Sequence, residues 1–181
     1  MANELSGPQW CERFPTSDSV ETLIEPFRGK VKRFLAALAA GRATVSISAT
    51  YRPKQRAYLM HYCYQLANRQ IPARAIPPLS GVDIGWVHPS DAESVSAAQA
   101  MVAGYGIAFP PVLASRHTQG LAIDMDIAWN GDLAIDDGKG RRLTVETDPR
   151  DGENQALWGI GASFGVIKLA SDPPHWSSDG H

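Results

Sequence analysis

Two cysteines, Cys11 and Cys63, are all that the 181 residues contain, which excludes a disulfide framework and points to a reduced cytosolic origin. Long hydrophobic runs are missing too. The longest, Phe34 to Ala40, is far too short to span a bilayer, and no basic, apolar, small-residue leader opens the chain. Stable membrane association is therefore not expected. Neither sign of charge dominates: 17 basic against 19 acidic residues leave a formal net charge of −2, so no general polyanion-binding surface is indicated and nucleic acid is not an expected partner. There is no internal repeat and no low-complexity segment. What remains is ordinary globular composition, 44% hydrophobic and 20% charged, at a length that suits a single domain over 1–181 with a real core.

Along the chain, residues 1–16 carry no trustworthy period and are expected to be irregular. Ser17-Asp18 can cap a short helix to Ile24. Pro26 suits the first turn of a second helix, with Val31, Phe34, Leu35 and Leu38 on one face and Gly41 as its stop. Lys30, Lys32 and Arg33 form a small basic cluster, best read as a solvated helix face. Thr44 to Thr50 alternates as a strand, and Pro53 opens a helix to about Asn68, on whose stripe His61 reads as a core or boundary residue. Residues 70–89 are rich in proline and read as a long ordered loop, in which Trp86 is either a stacking surface or a core plug and His88 is structural or exposed. Ser90 and Glu93 form a capping-box signature for a helix to about Gly104. The acids between Asn130 and Gly140 do not match the twelve-residue calcium loop and read as hairpin-turn chemistry before a strand from Arg142 to Thr147. Asp151 to Phe164 is the last expected helix, ended by Gly165, and the terminal His181 is expected to be disordered.

The chemistry concentrates in Ser115-Arg116-His117-Thr118-Gln119-Gly120-Leu121-Ala122-Ile123-Asp124. From Leu121 the pattern alternates: Leu121, Ile123, Met125, Ile127 and Trp129 share one face, and Ala122, Asp124, Asp126 and Ala128 the other. Two carboxylates on one face of an apolar strand need a reason, because buried charges are paired or bind metal. His117 stands an odd number of residues before Asp124, so one continuous strand would send the two to opposite faces. The turn that Gly120 permits breaks that parity and can bring the imidazole over Asp124.

A metal site needs a third ligand, and the candidate is His175 in Asp172-Pro173-Pro174-His175-Trp176. The prolines forbid a helix, and a polyproline path with about three residues per turn puts Asp172 and His175 on one side. A rigid platform presenting an acid and an imidazole suits a metal ligand with a general base beside it.

These residues carry a resemblance. Ser-x-His-x-x-Gly-x-Ala-x-Asp, followed by acid-x-x-His-Trp, resembles the zinc peptidases of bacterial cell walls, a family of D-alanyl-D-alanine carboxypeptidases, dipeptidases and phage L-alanyl-D-glutamate endopeptidases. The likeness runs from about Ser48 to Trp176; many members carry Glu where this chain has Asp172, and some phage-type members carry Asp. It implies Zn2+ held by His117, Asp124 and His175 with one position open to water. It implies Asp172 as the general base, Arg52 as a carboxylate or oxyanion clamp, Ser115 as a lining residue of the substrate site and Gln55 as a supporting group. Taken alone, an Arg at a strand end is more often a surface charge. Asp126 is a candidate to orient a ligand histidine.

The expected fold is α+β, three or four helices packed around a small, mainly antiparallel sheet whose central strand carries Asp124, with the zinc on its open face. By resemblance, the expected function is hydrolysis of peptide bonds in peptidoglycan stem peptides by a monomeric phage endolysin of L-alanyl-D-glutamate endopeptidase type, without a separate wall-binding module. Such a protein is made in the host cytoplasm and reaches the periplasmic wall through a holin. The alternatives are a D-alanyl-D-alanine carboxypeptidase and, from another class, an inactive zinc-containing wall-binding domain.

Overall fold

A computed structural model describes residues 4–181. In chain order its elements are β1 (Glu4–Leu5), α1 (Phe27–Ala40), β2 (Thr44–Ala49), α2 (Lys54–Ala67), β3 (Ile84–Gly85), α3 (Asp91–Tyr105), β4 (Ala122–Ala128), β5 (Leu133–Asp136), β6 (Arg142–Val145), α4 (Gln155–Phe164), β7 (Ile167–Lys168) and β8 (His175–Ser177). About 37% of the chain is helix and 20% strand, an α+β fold with small, mostly antiparallel sheets, as expected. The chain divides into two compact units, the described residues up to Pro15 with Pro53–Ser115, and Thr16–Arg52 with Arg116–His181.

The second unit holds the sheet, in the order β2-β4-β8-β7 with every pairing antiparallel. β4 is an inner strand because its alternation works: Ile123, Met125 and Ile127 are at most 2% exposed, while Asp126 and Ala128 face outward. Their buried side packs with α1, where Phe34 sits 5.6 Å from the rings of both Phe164 on α4 and Trp176 on β8. α4 approaches closely because Gly161 has no side chain, since a Cβ there would lie 2.6 Å from the Trp176 ring. β2 joins β4 with a bulge at Ser48: Ile47 pairs with Met125, but the next partner of Asp124 is Ala49. The extra residue falls beside the acid.

Several sequence boundaries move. α4 starts at Gln155, four residues late, because Asn154 and not Asp151 is the cap; its side chain accepts from the Ala156 and Leu157 amides. The Asn130–Gly140 stretch contains a strand, β5, as well as the turn. There Asp137 accepts from the Lys139 and Arg141 amides and pairs with the Arg141 side chain. The expected Ser17–Ile24 helix shrinks to one 3-10 turn, Val20–Thr22, capped by Ser19.

In the first unit α2 packs on α3, whose capping box is present in full. Residues 1–3 of the segment expected to be irregular lie outside the described residues. From Glu4 onward that segment is ordered: β1 pairs in parallel with β3, and Trp10 is buried in the unit's core. Trp86 proves to be a core plug, its indole donating to the Tyr58 hydroxyl at 3.0 Å. Both histidines of this unit are structural, His61 on the Pro111 carbonyl and His88 on the Ser6 hydroxyl.

Candidate metal centre

His117, Asp124 and His175 all belong to the second unit and come together as the sequence suggests. Asp124 leaves the inner strand β4, and β8 runs beside it so that His175 is its direct cross-strand partner. His117 arrives by the turn. It opens a 3-10 turn ending at Gly120, whose φ of +68° is the left-handed conformation that glycine takes freely. A Cβ at Gly120 would also stand 3.2 Å from the Thr22 carbonyl, so the position is closed to larger residues twice over.

The three side chains converge through single atoms. His117 Nε2 lies 3.1 Å from Asp124 Oδ1 and 3.2 Å from His175 Nδ1, and that nitrogen is 3.0 Å from the same Oδ1. Tetrahedral bonds of ~2.0–2.1 Å to nitrogen and oxygen place ligand atoms about 3.3–3.4 Å apart, so a small shift of each would seat a metal. Two imidazoles and one carboxylate leave coordination positions for water or substrate. The group is thus able to hold a metal ion.

The outer nitrogens decide the tautomers. His117 Nδ1 lies 3.0 Å from the Thr50 carbonyl and His175 Nε2 lies 3.2 Å from the main-chain oxygen of His181. Each can only donate there, so a neutral ring turns its lone pair inward, as a metal ligand must, and only a ring that carries a second, inward proton donates to Asp124. These orienting main-chain oxygens went unseen in the sequence, because a backbone acceptor has no residue signature. Asp126 does not serve in their place: it is exposed and pairs in register with Ser46. His181 is ordered, its amide donating to Ser177 Oγ at 3.0 Å, contrary to the expected disorder.

Burial favours the neutral form of Asp124, but hydrogen bonds from His117 and His175 outweigh it and hold the carboxyl well below the usual carboxylate range. Burial likewise works against a charged His175, yet the hydrogen bond to Asp124 and its charge raise the imidazole's pKa, with a lesser contribution from Asp172. Protons and a metal compete for the same nitrogens.

Asp172 is not one of the converging ligands. It is exposed, on the connection between β7 and β8, and its carbonyl accepts the His175 amide at 3.0 Å. The expected polyproline platform is therefore a hydrogen-bonded turn. Pro173 and Pro174 have no N–H, so the amide of His175 is left to close it.

Arg52 is half-buried, and its amide donates to the His117 carbonyl at 3.2 Å, so it borders the ligand-bearing turn. Ser115 is half-buried two residues before His117, at the end of the first unit. Gln55 lies in the first turn of α2, in that same unit. No protein-family model matches the chain, and neither does any curated protein.

Proposed function

We propose that this protein is a zinc metallopeptidase that hydrolyses peptide bonds in bacterial peptidoglycan stem peptides, as a phage endolysin of L-alanyl-D-glutamate endopeptidase type. The observation that carries the reading is the convergence of His117 Nε2, Asp124 Oδ1 and His175 Nδ1 within 3.0–3.2 Å, with both outer ring nitrogens tied to main-chain oxygens. Bound zinc supplies a Lewis acid that acidifies the attacking water and polarises the scissile carbonyl.

In this reading the residues divide the work. His117, Asp124 and His175 hold the ion. Asp172, exposed beside His175, takes the proton of the attacking water and returns it to the leaving amine. Arg52 and Ser115 bind substrate, the guanidinium clamping a carboxylate or the developing oxyanion. The enzyme acts as a monomer on the periplasmic wall after release through a holin. No helix among the described residues is long and apolar enough to cross a membrane.

The test is to incubate zinc-loaded protein with defined muropeptides and weigh the products. Cleavage between L-alanine and D-glutamate that stops on chelation and returns with zinc supports the proposal. Release of terminal D-alanine alone would make it a carboxypeptidase. Tight wall binding without cleavage would make it a binding domain. The same donor set also suits ferrous iron, so one equivalent of iron in metal-replete protein would overturn the zinc assignment.

A further inference from the structure

A buried cation lies under the loop that carries Asp172 and His175. Lys168 is at the end of β7, and its side chain is only 1% exposed. Its ammonium donates to the carbonyls of Leu169 at 2.7 Å and Asp172 at 2.6 Å, and stands 3.4 Å from Glu153 Oε1. That carboxylate oxygen is buried and makes no hydrogen bond of its own. Three donors therefore face three oxygens. The rings of Trp158 and Trp176 lie 5.8 and 5.9 Å from the nitrogen.

Lysine is almost never fully buried unless paired, because removing its charge from water is costly. A bland account would have Lys168 fill space between two indoles. The placement of its acceptors argues for more. Both carbonyls belong to the connection 169–174, and the Asp172 carbonyl is also the one that accepts the His175 amide. The lysine's own backbone is held at the other end: Lys168 pairs with Trp176, and the Leu169 amide donates to the His175 carbonyl at 3.0 Å. One ammonium thus ties a proline-rich loop, which has few amides with which to hold itself, to a fixed strand and to Glu153.

We propose that Lys168 is the positioning residue for Asp172, holding the carboxylate-bearing turn in register with His175. Its catalytic consequence rests on the peptidase reading; its hold on the loop does not. The substitution to make is Lys168→Met, which keeps the length and removes the donors, studied in metal-loaded full-length protein. Amide exchange at Asp172 and His175 should accelerate by about tenfold or more, while β4 amides stay within about twofold. Turnover of the muropeptide should fall by at least about tenfold with KM unchanged, and the loss should vanish in an Asp172→Asn background, because positioning an absent base has no effect.

Unchanged exchange in the loop overturns the proposal. So does a turnover loss of the same size with and without Asp172, which is the mark of a merely structural role. If Lys168→Met does not fold, Lys168→Gln, one atom shorter and uncharged so that it cannot serve all three oxygens, is read by the same two measurements. If wild-type protein cleaves no stem peptide, the peptidase reading fails and the exchange data alone decide whether Lys168 holds the loop.

Discussion

Asp172 and Arg52 stand in different relations to the three converging side chains, and each can be tested alone. Asp172 lies outside the triad, so Asp172→Asn should keep the metal at wild-type stoichiometry. In the proposed role of general base, which typically contributes ~10²–10⁴-fold, its loss should lower turnover by about that factor. Loss of metal along with activity would mean that Asp172 is a ligand. Arg52 has its amide on the His117 carbonyl, so its backbone is anchored whatever the side chain. Arg52→Lys should leave metal content and melting temperature unchanged. Hydrogen bonds to charged groups contribute ~1.5–3 kcal/mol, so losing the planar fork should slow turnover by about 10- to 100-fold. Wild-type turnover in Arg52→Lys would return this residue to the surface charges.

At the scale of elements, the site depends on how β8 is pressed between its neighbours. His175 pairs with Asp124 across the sheet, and the next residue, Trp176, fills the space that Gly161 leaves on α4. Gly161→Ala would set a methyl against that indole and against the Val166 carbonyl, 2.9 Å away. Overpacking costs typically ~1–3 kcal/mol, and the strain falls one residue from His175, a candidate metal ligand. Chemical denaturation should show a loss of that size, and competition with a chelator should show weaker metal binding. Full stability in Gly161→Ala would mean that the helix shifts freely. The bulge at Ser48 acts at the same scale from the other flank, changing the register of β2 next to Asp124.

For the molecule as a whole, the triad couples stability to pH in opposite directions with and without metal. The carboxyl of Asp124 is depressed, so its contribution is present above the unfolded value of ~3.9 and is lost as pH falls through the folded value. The imidazole of His175 is raised, so its contribution is full below the unfolded value of ~6.5 and is lost as pH rises through the folded value. Metal-free protein should therefore lose stability from this group on going from about pH 6 to pH 8. Zinc-loaded protein should gain over the same interval, because deprotonated imidazoles bind the ion more tightly. The measurement is the melting temperature of wild type minus that of His175→Gln, with and without zinc. Parallel pH profiles in the two states would show that protons and metal do not share these nitrogens.

Much of this site was legible in the chain itself. Alternation from Leu121 to Trp129 determined that Asp124 would sit on a half-buried strand, and Gly120 determined that a turn would return His117 to it; both depend only on local periodicity and backbone sterics. The existence of α1 to α4 was readable for the same reason, through apolar stripes and caps, although α4 needed the Asn154 cap to set its start. Tertiary structure alone decided the rest. Which main-chain oxygens orient the imidazoles depends on segments that meet from far apart in sequence, as Thr50 and His117 do across 67 residues. Asp126 could not be told from Asp124 by pattern, and only the register of β2 and the bulge separated them. Two prolines read as an extended platform closed instead into a turn, because a buried ammonium and the His175 amide converge on the Asp172 carbonyl. Local rules follow from each residue's own sterics and hydration, whereas these contacts exist only after distant segments have been brought together.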